Sequence, residues 1–164
     1  HADGQHVSTP LQGLVKPSAV AVSAAYRWEG VSVCAAGDGG ETFEPVSWLA
    51  GRRVVLMCGI GRPRRFIDAA RNAGAVVVDA VVLADHAPIS EAVVRRVNAR
   101  ATAQGVGVVL TTEKDLARMD QLPERWKSLT VAAPRVQLSI DRGELLMQKV
   151  AGAVGAGASR SLDR

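Results

Sequence analysis

The chain has 164 residues, 48% of them hydrophobic and 22% charged, with a formal net charge of +4 from 20 Lys and Arg against 16 Asp and Glu. That is enough chain for one domain with a real core, and the balance excludes a globally disordered polypeptide. No apolar run reaches the roughly 20 residues a membrane-spanning helix needs, and the polar N-terminus lacks the basic-then-apolar order of a secretory signal.

Residues 1–18 are polar and turn-rich, with Pro10 and Pro17. Ala19–Ala24 and Val31–Ala35 read as short strands, and the glycine-rich loop Gly37-Asp38-Gly39-Gly40 reverses the chain between the second of them and a connector over 41–51 that carries Trp48. The periodic core begins at Arg52. Val54–Cys58 is an unbroken apolar run, the pattern of a strand buried on both faces. Pro63 suits the first turn of a helix over Arg62–Ala73, which places Phe66, Ile67 and Ala70 on one face and Arg64, Asp68 and Arg71 on another. Gly74 stops that helix, and Ala75–Leu83 returns as a strand.

Ser90 opens a second helix over Glu91–Gln104, which Gly105 ends. Val106–Leu110 is another buried strand. Thr112-Glu113-Lys114-Asp115 has the form of a capping box, with Asp in place of the usual Glu or Gln, and predicts a short helix that breaks near Pro123. Leu129–Ala133 and Val136–Ile140 read as two late strands, Glu144–Val150 as a last helix, and 151–164 as a flexible Gly/Ala/Ser-rich tail. Strand and helix alternate from 52 to 133. The fold class is therefore α/β, a mostly parallel sheet with helices on both faces, in the manner of a Rossmann-like three-layer sandwich.

Open α/β sheets bind ligands at the carboxyl ends of their strands. Three candidates fall there. In Gly59-Ile60-Gly61-Arg62-Pro63 the glycines allow close backbone approach, a helix N-terminus offers free N–H groups, and Arg62, Arg64 and Arg65 add positive charge suited to a phosphate. Solvated arginines on a tight turn would give the same string. In Asp85-His86-Ala87-Pro88 a carboxylate and an imidazole adjoin, and the imidazole titrates near neutral pH. A loop Asp and His in structural hydrogen bonds is the alternative. In Thr111-Thr112-Glu113-Lys114-Asp115, capping accounts for Thr112 and Asp115 but leaves Lys114 for a phosphate or carboxylate. Cys34 and Cys58 sit in apolar runs as free thiols suited to a reducing cytosol, with no metal-ligand spacing around them. The sequence contains neither GxxxxGK[ST] nor GxSxG.

At these three motifs the chain resembles the tetraacyldisaccharide 4'-kinases of lipid A biosynthesis. That family carries a Gly-Ile-Gly-x-Pro-x-x-Phe turn, a following Asp-His-His-Pro segment and a Thr-Thr-Glu-Lys-Asp-x-x-Arg segment. Here they stand as Gly59 to Phe66, Asp85 to Pro88, and Thr111 to Asp115 with Arg118, in the same order and with fitting spacing. The resemblance covers about residues 48–125. Where the family has a second histidine this chain has Ala87, and where it has an aromatic the chain has Ile89.

The resemblance implies a kinase that moves the γ-phosphate of ATP to the 4'-hydroxyl of a lipid-linked disaccharide, with Mg²⁺, at the inner face of the inner membrane. It implies two α/β lobes, of which this chain would be the C-terminal one. The P-loop and the metal ligands would lie in a separate lobe or chain, leaving this one inactive alone. His86, beside Asp85, would assist a catalytic aspartate from the other lobe. Gly59, Gly61, Arg62 and Thr111 to Asp115 would face substrate or phosphate. Residues 1–24 would be a remnant of the segment joining the lobes, and 25–150 the lobe itself. A non-catalytic module that binds an anionic ligand or a partner protein is the alternative. Nucleic acid is a poor candidate, because one Tyr and two Phe leave few stacking platforms.

Overall fold

The computed structural model describes residues 22–35, 40–85, 87–119, 126 and 128–159, with side chains described through 152. In chain order its elements are strand β1 (Ala24–Cys34), strand β2 (Glu41–Glu44), a 3-10 turn (Val46–Leu49), strand β3 (Arg53–Cys58), helix α1 (Pro63–Asn72), strand β4 (Val76–Val82), helix α2 (Glu91–Ala103), strand β5 (Val108–Leu110), the short helix α3 (Glu113–Leu116), strand β6 (Thr130–Ile140) and helix α4 (Gly143–Ser159).

One six-stranded sheet runs in the order β2-β1-β6-β5-β3-β4. Strand β3 pairs in parallel with β4 on one side and β5 on the other, β5 pairs in parallel with β6, and β2 joins β1 antiparallel. The chain leaves β3, lays down β4 at the sheet edge, then crosses back through α2 to β5 on the far side of β3. That reversal creates a switch point between β3 and β5 at the carboxyl ends of the strands. The mostly parallel α/β sheet expected from the alternating pattern is the one observed.

Side chains of β3 alternate between two cores, as a strand covered on both faces requires. Val54, Leu56 and Cys58 pack with Phe66 and Ala70 of α1, while Val55 and Met57 pack with Val94, Val97 and Ala101 of α2. Phe66 and Ala70 stand four residues apart and Val94, Val97 and Ala101 follow at three and four, so each helix buries one stripe. Trp28 closes the α1 side, its ring centroid 5.8 Å from that of Phe66. Helix α1 ends where Gly74 takes φ +89, a conformation that favours glycine, and a Cβ there would also meet Ala50 at 3.1 Å.

Four elements depart from the pattern read in the sequence, the first being β1, which runs unbroken from Ala24 where the second short strand is expected only from Val31. The supposed connector over 41–51 contains strand β2 and the 3-10 turn. Glu41-Thr42-Phe43-Glu44 shows no apolar run because β2 is an edge strand. Its Phe43 lies over the bare backbone of Gly30, and Arg135 stacks on the same ring at 4.4 Å. The two late strands are one, β6, running through Pro134. The β5 ladder reaches β6 only as far as Ala132, so the missing Pro134 N–H breaks no rung of it. Helix α4 continues to Ser159, past the expected Val150. Residues 151–159 hold no proline, and their four alanines, the strongest helix formers, work against three glycines. Most of the expected Ala19–Ala24 strand, His86 and Pro123 lie outside the described residues.

Residues 28–136 form one compact unit, and the described residues 22–27 and 137–159 belong to a second. The three candidate motifs all lie in the first. In the second, the Asp141 N–H donates to the Ser23 carbonyl at 2.8 Å. No described helix is long and apolar enough to cross a membrane.

Candidate functional site

The loops after β3, β4 and β5 carry Gly59–Arg62, Asp85 and Thr111–Asp115 respectively, so the topology brings all three motifs to one sheet edge. The first and third are hydrogen-bonded to one another through Asp115, which is fully buried. Its Oδ2 accepts the Gly59 N–H at 2.9 Å and the Thr112 hydroxyl at 2.8 Å. Its Oδ1 accepts from Arg118 Nη1 at 3.3 Å. The Asp115 N–H in turn donates to Thr112 Oγ1 at 3.1 Å, which caps α3. The sequence reading of a Thr-x-x-Asp cap therefore holds at Thr112. The carboxylate, however, turns to a backbone amide 56 positions earlier in the chain.

Gly59 has little room for a side chain. A Cβ there would stand 3.3 Å from Asp115 Oδ1 and 3.5 Å from the Ala84 carbonyl. The backbone turn after β3 thus touches the loops after both β4 and β5. Gly61 is exposed, and a Cβ there would lie 3.5 Å from Asp85 Oδ2. Arg62 occupies the N-cap of α1 and is exposed together with Arg64 and Arg65. Asp85 and Lys114 form an ion pair at 3.8 Å, with each side chain about half exposed. Glu113 accepts the Val136 N–H at 2.9 Å and pairs with Arg135 at 3.7 Å, which ties α3 to β6. Thr111 is fully buried, with its N–H donating to the Ala132 carbonyl at 2.8 Å and its hydroxyl unpartnered among the described residues.

Arg118 adds a link that the motif string did not reveal. Its Nη2 donates to the Ala87 carbonyl at 2.6 Å while Nη1 holds Asp115. The hints in the sequence are its place at the end of the Thr-Thr-Glu-Lys-Asp-x-x-Arg motif and its spacing three residues after Asp115.

The buried carboxylate also bears on a neighbouring thiol. Burial first, and the nearby charge of Asp115 second, push the Cys58 thiol up to about 11 from 9.0. A pKa raised in the folded state favours folding while the thiol stays protonated and loses that advantage once only the unfolded chain ionises. Stability should therefore fall as pH rises from about 9 toward 11, by at most ~1.4 kcal/mol per unit, and level off above. Urea midpoints across that window should flatten in Cys58→Ala. An unchanged alkaline limb in that variant would refute the assignment.

The edge is poorly furnished for a divalent cation. Asp85 faces Lys114, Glu113 faces Arg135 and the Val136 amide, and Asp115 is enclosed by its donors. No group of three or more His, Cys, Asp or Glu among the described residues could hold a metal ion. The residues present do not fit Mg²⁺, although the arginines and Lys114 suit an anion.

A family model for tetraacyldisaccharide-1-P 4'-kinase matches residues 16–153, well over half of the chain. The chain belongs to that family. Among curated relatives, the tetraacyldisaccharide 4'-kinase of Methylobacterium radiotolerans is 37% identical over 108 residues, covering 66% of this chain and 32% of the relative. That of Rhodopseudomonas palustris is 43% identical over 74 residues, covering 45% of this chain and 22% of the relative. The chain thus spans about a third or less of the length of these kinases. A crystal structure of LpxK from Aquifex aeolicus in complex with ATP is similar at 19% identity and a TM-score of 0.49, covering 79% of this chain and 35% of that one.

Proposed function

We propose that this chain is the C-terminal lobe of a tetraacyldisaccharide 4'-kinase. The reaction would transfer the γ-phosphate of ATP to the 4'-hydroxyl of tetraacyldisaccharide 1-phosphate in lipid A biosynthesis. The observation that supports this reading most is the meeting of the three family motifs at the carboxyl ends of β3, β4 and β5. In this reading the carboxyl ends of the strands face a second lobe, in the same or a separate chain, that holds the ATP phosphates and Mg²⁺. His86 tunes the carboxylate that accepts the sugar hydroxyl proton. Gly59 and Gly61 keep the turn close-packed, and Arg62 and Lys114 face the anionic substrate. The net charge of +4 suits peripheral work at the anionic inner membrane, where the lipid-linked substrate resides.

The purified chain alone should not phosphorylate the disaccharide. Mixed with, or fused to, the P-loop portion of a relative, it should support ATP-dependent transfer of ³²P to the lipid. Transfer by the chain alone would refute the division of labour. Failure of every complemented form, with binding of the anionic lipid retained, would favour a non-catalytic binding module.

A further inference from the structure

The loop after β4 carries the Asp-His segment. Within it, the Ala87 N–H donates to the Ala84 carbonyl at 3.0 Å. One anchor outside that loop is Arg118, whose Nη2 takes the Ala87 carbonyl at 2.6 Å. Arg118 is itself aimed by the fully buried Asp115, and Asp115 simultaneously holds the Gly59 amide at the end of β3. Two nitrogens of one planar guanidinium thus join two loops, a geometry that a single ammonium cannot reproduce.

We infer that Arg118 and Asp115 are positioning residues, a brace that fixes Ala87, in the loop after β4, against the end of β3. The inference rests on the kinase reading for its consequence in turnover, but not for the brace itself. Asp115 acts here from the interior, since no face of its carboxylate is open to solvent.

The test has one arm that needs no activity. In the purified chain, Arg118→Ala should speed exchange of the Ala87 amide by about tenfold or more, while amides of Leu56 and Val97 in the two cores stay as they were. Arg118→Lys keeps the charge beside Asp115 but lacks the fork, so it should recover the unfolding midpoint without recovering the Ala87 amide. The second arm uses the chain complemented by a P-loop portion. There Arg118→Ala should lower kcat by about 100-fold, the size expected of a displaced catalytic group, with KM for ATP unchanged.

Exchange that rises equally at Ala87, Leu56 and Val97, or full recovery of the Ala87 amide by Arg118→Lys, would overturn the brace. If the amide arm succeeds and no complemented form transfers phosphate, the kinase reading fails and the brace stands. If the complemented chain is active and the amide arm fails, the brace falls and the kinase reading stands.

Discussion

Asp115→Ala should lower the stability of the chain by about 3–5 kcal/mol, the range for removing one partner of a buried ion pair. The substitution strips the acceptor from the Gly59 N–H, the Thr112 hydroxyl and Arg118 in one step. Gly59 is buried, so the orphaned amide alone accounts for about 1–3 kcal/mol. Losing the charge partner of a mostly buried Arg118 supplies the rest. The contributions share one carboxylate and are not additive. The helix cap itself should survive, because the amide of residue 115 still reaches Thr112 Oγ1.

Asp115→Asn separates charge from shape. It keeps a carbonyl oxygen for Gly59 and should cost about 1.5–3 kcal/mol, the span for hydrogen bonds to charged groups. Urea unfolding at constant m measures both variants. A midpoint for Asp115→Ala within error of the unaltered chain would show that the three contacts carry no net energy. Domains of this size typically hold only about 5–15 kcal/mol in total, so the predicted loss should also appear as a drop of roughly 10 °C in Tm.

The same carboxylate marks the limit of what the sequence discloses. Strands β3 and β4 and helices α1 and α2 were legible to within one or two residues, because an unbroken apolar run, a Pro63 at the first turn and Gly74 and Gly105 at the stops each dictate a local geometry. Strand β2 was not legible: an edge strand of four residues held by Phe43 over Gly30 leaves no periodic trace. The continuity of β6 was hidden by Pro134, whose tolerance depends on where the neighbouring ladder ends.

At the candidate site, the order of the motifs foretold that they share one edge, since parallel strands deliver their following loops to one side. Their mutual contacts were not foretold. Thr112 and Asp115 read as a cap, and Asp115 alternatively as a ligand contact. Only the three-dimensional pairing of β3 beside β5 brings the Gly59 amide to that carboxylate. The Asp85–Lys114 pair is likewise a consequence of β4 and β5 flanking β3. Contacts of this kind lie between strands distant in sequence, and no local pattern encodes them.

His86→Ala carries the other large effect. In the complemented kinase it should reduce turnover by about 10²–10⁴-fold, the usual contribution of a group assisting proton transfer. That corresponds to about 2.7–5.5 kcal/mol of barrier. The neighbours of position 86 in the chain are both tied down, Asp85 by Lys114 at 3.8 Å and Ala87 by Arg118 at 2.6 Å, so the substitution deletes an imidazole from a turn with anchored ends. KM for ATP should hold, because the phosphate-gripping groups belong to the other lobe in this reading. Turnover within threefold of the unaltered protein would remove His86 from the reaction. Asp115→Ala gives the contrasting signature, in which activity falls together with the unfolding midpoint. His86→Ala should instead lower the rate at a temperature where the urea midpoint shows the fold intact, and that separation distinguishes a group that works on the reaction from one that holds the edge together.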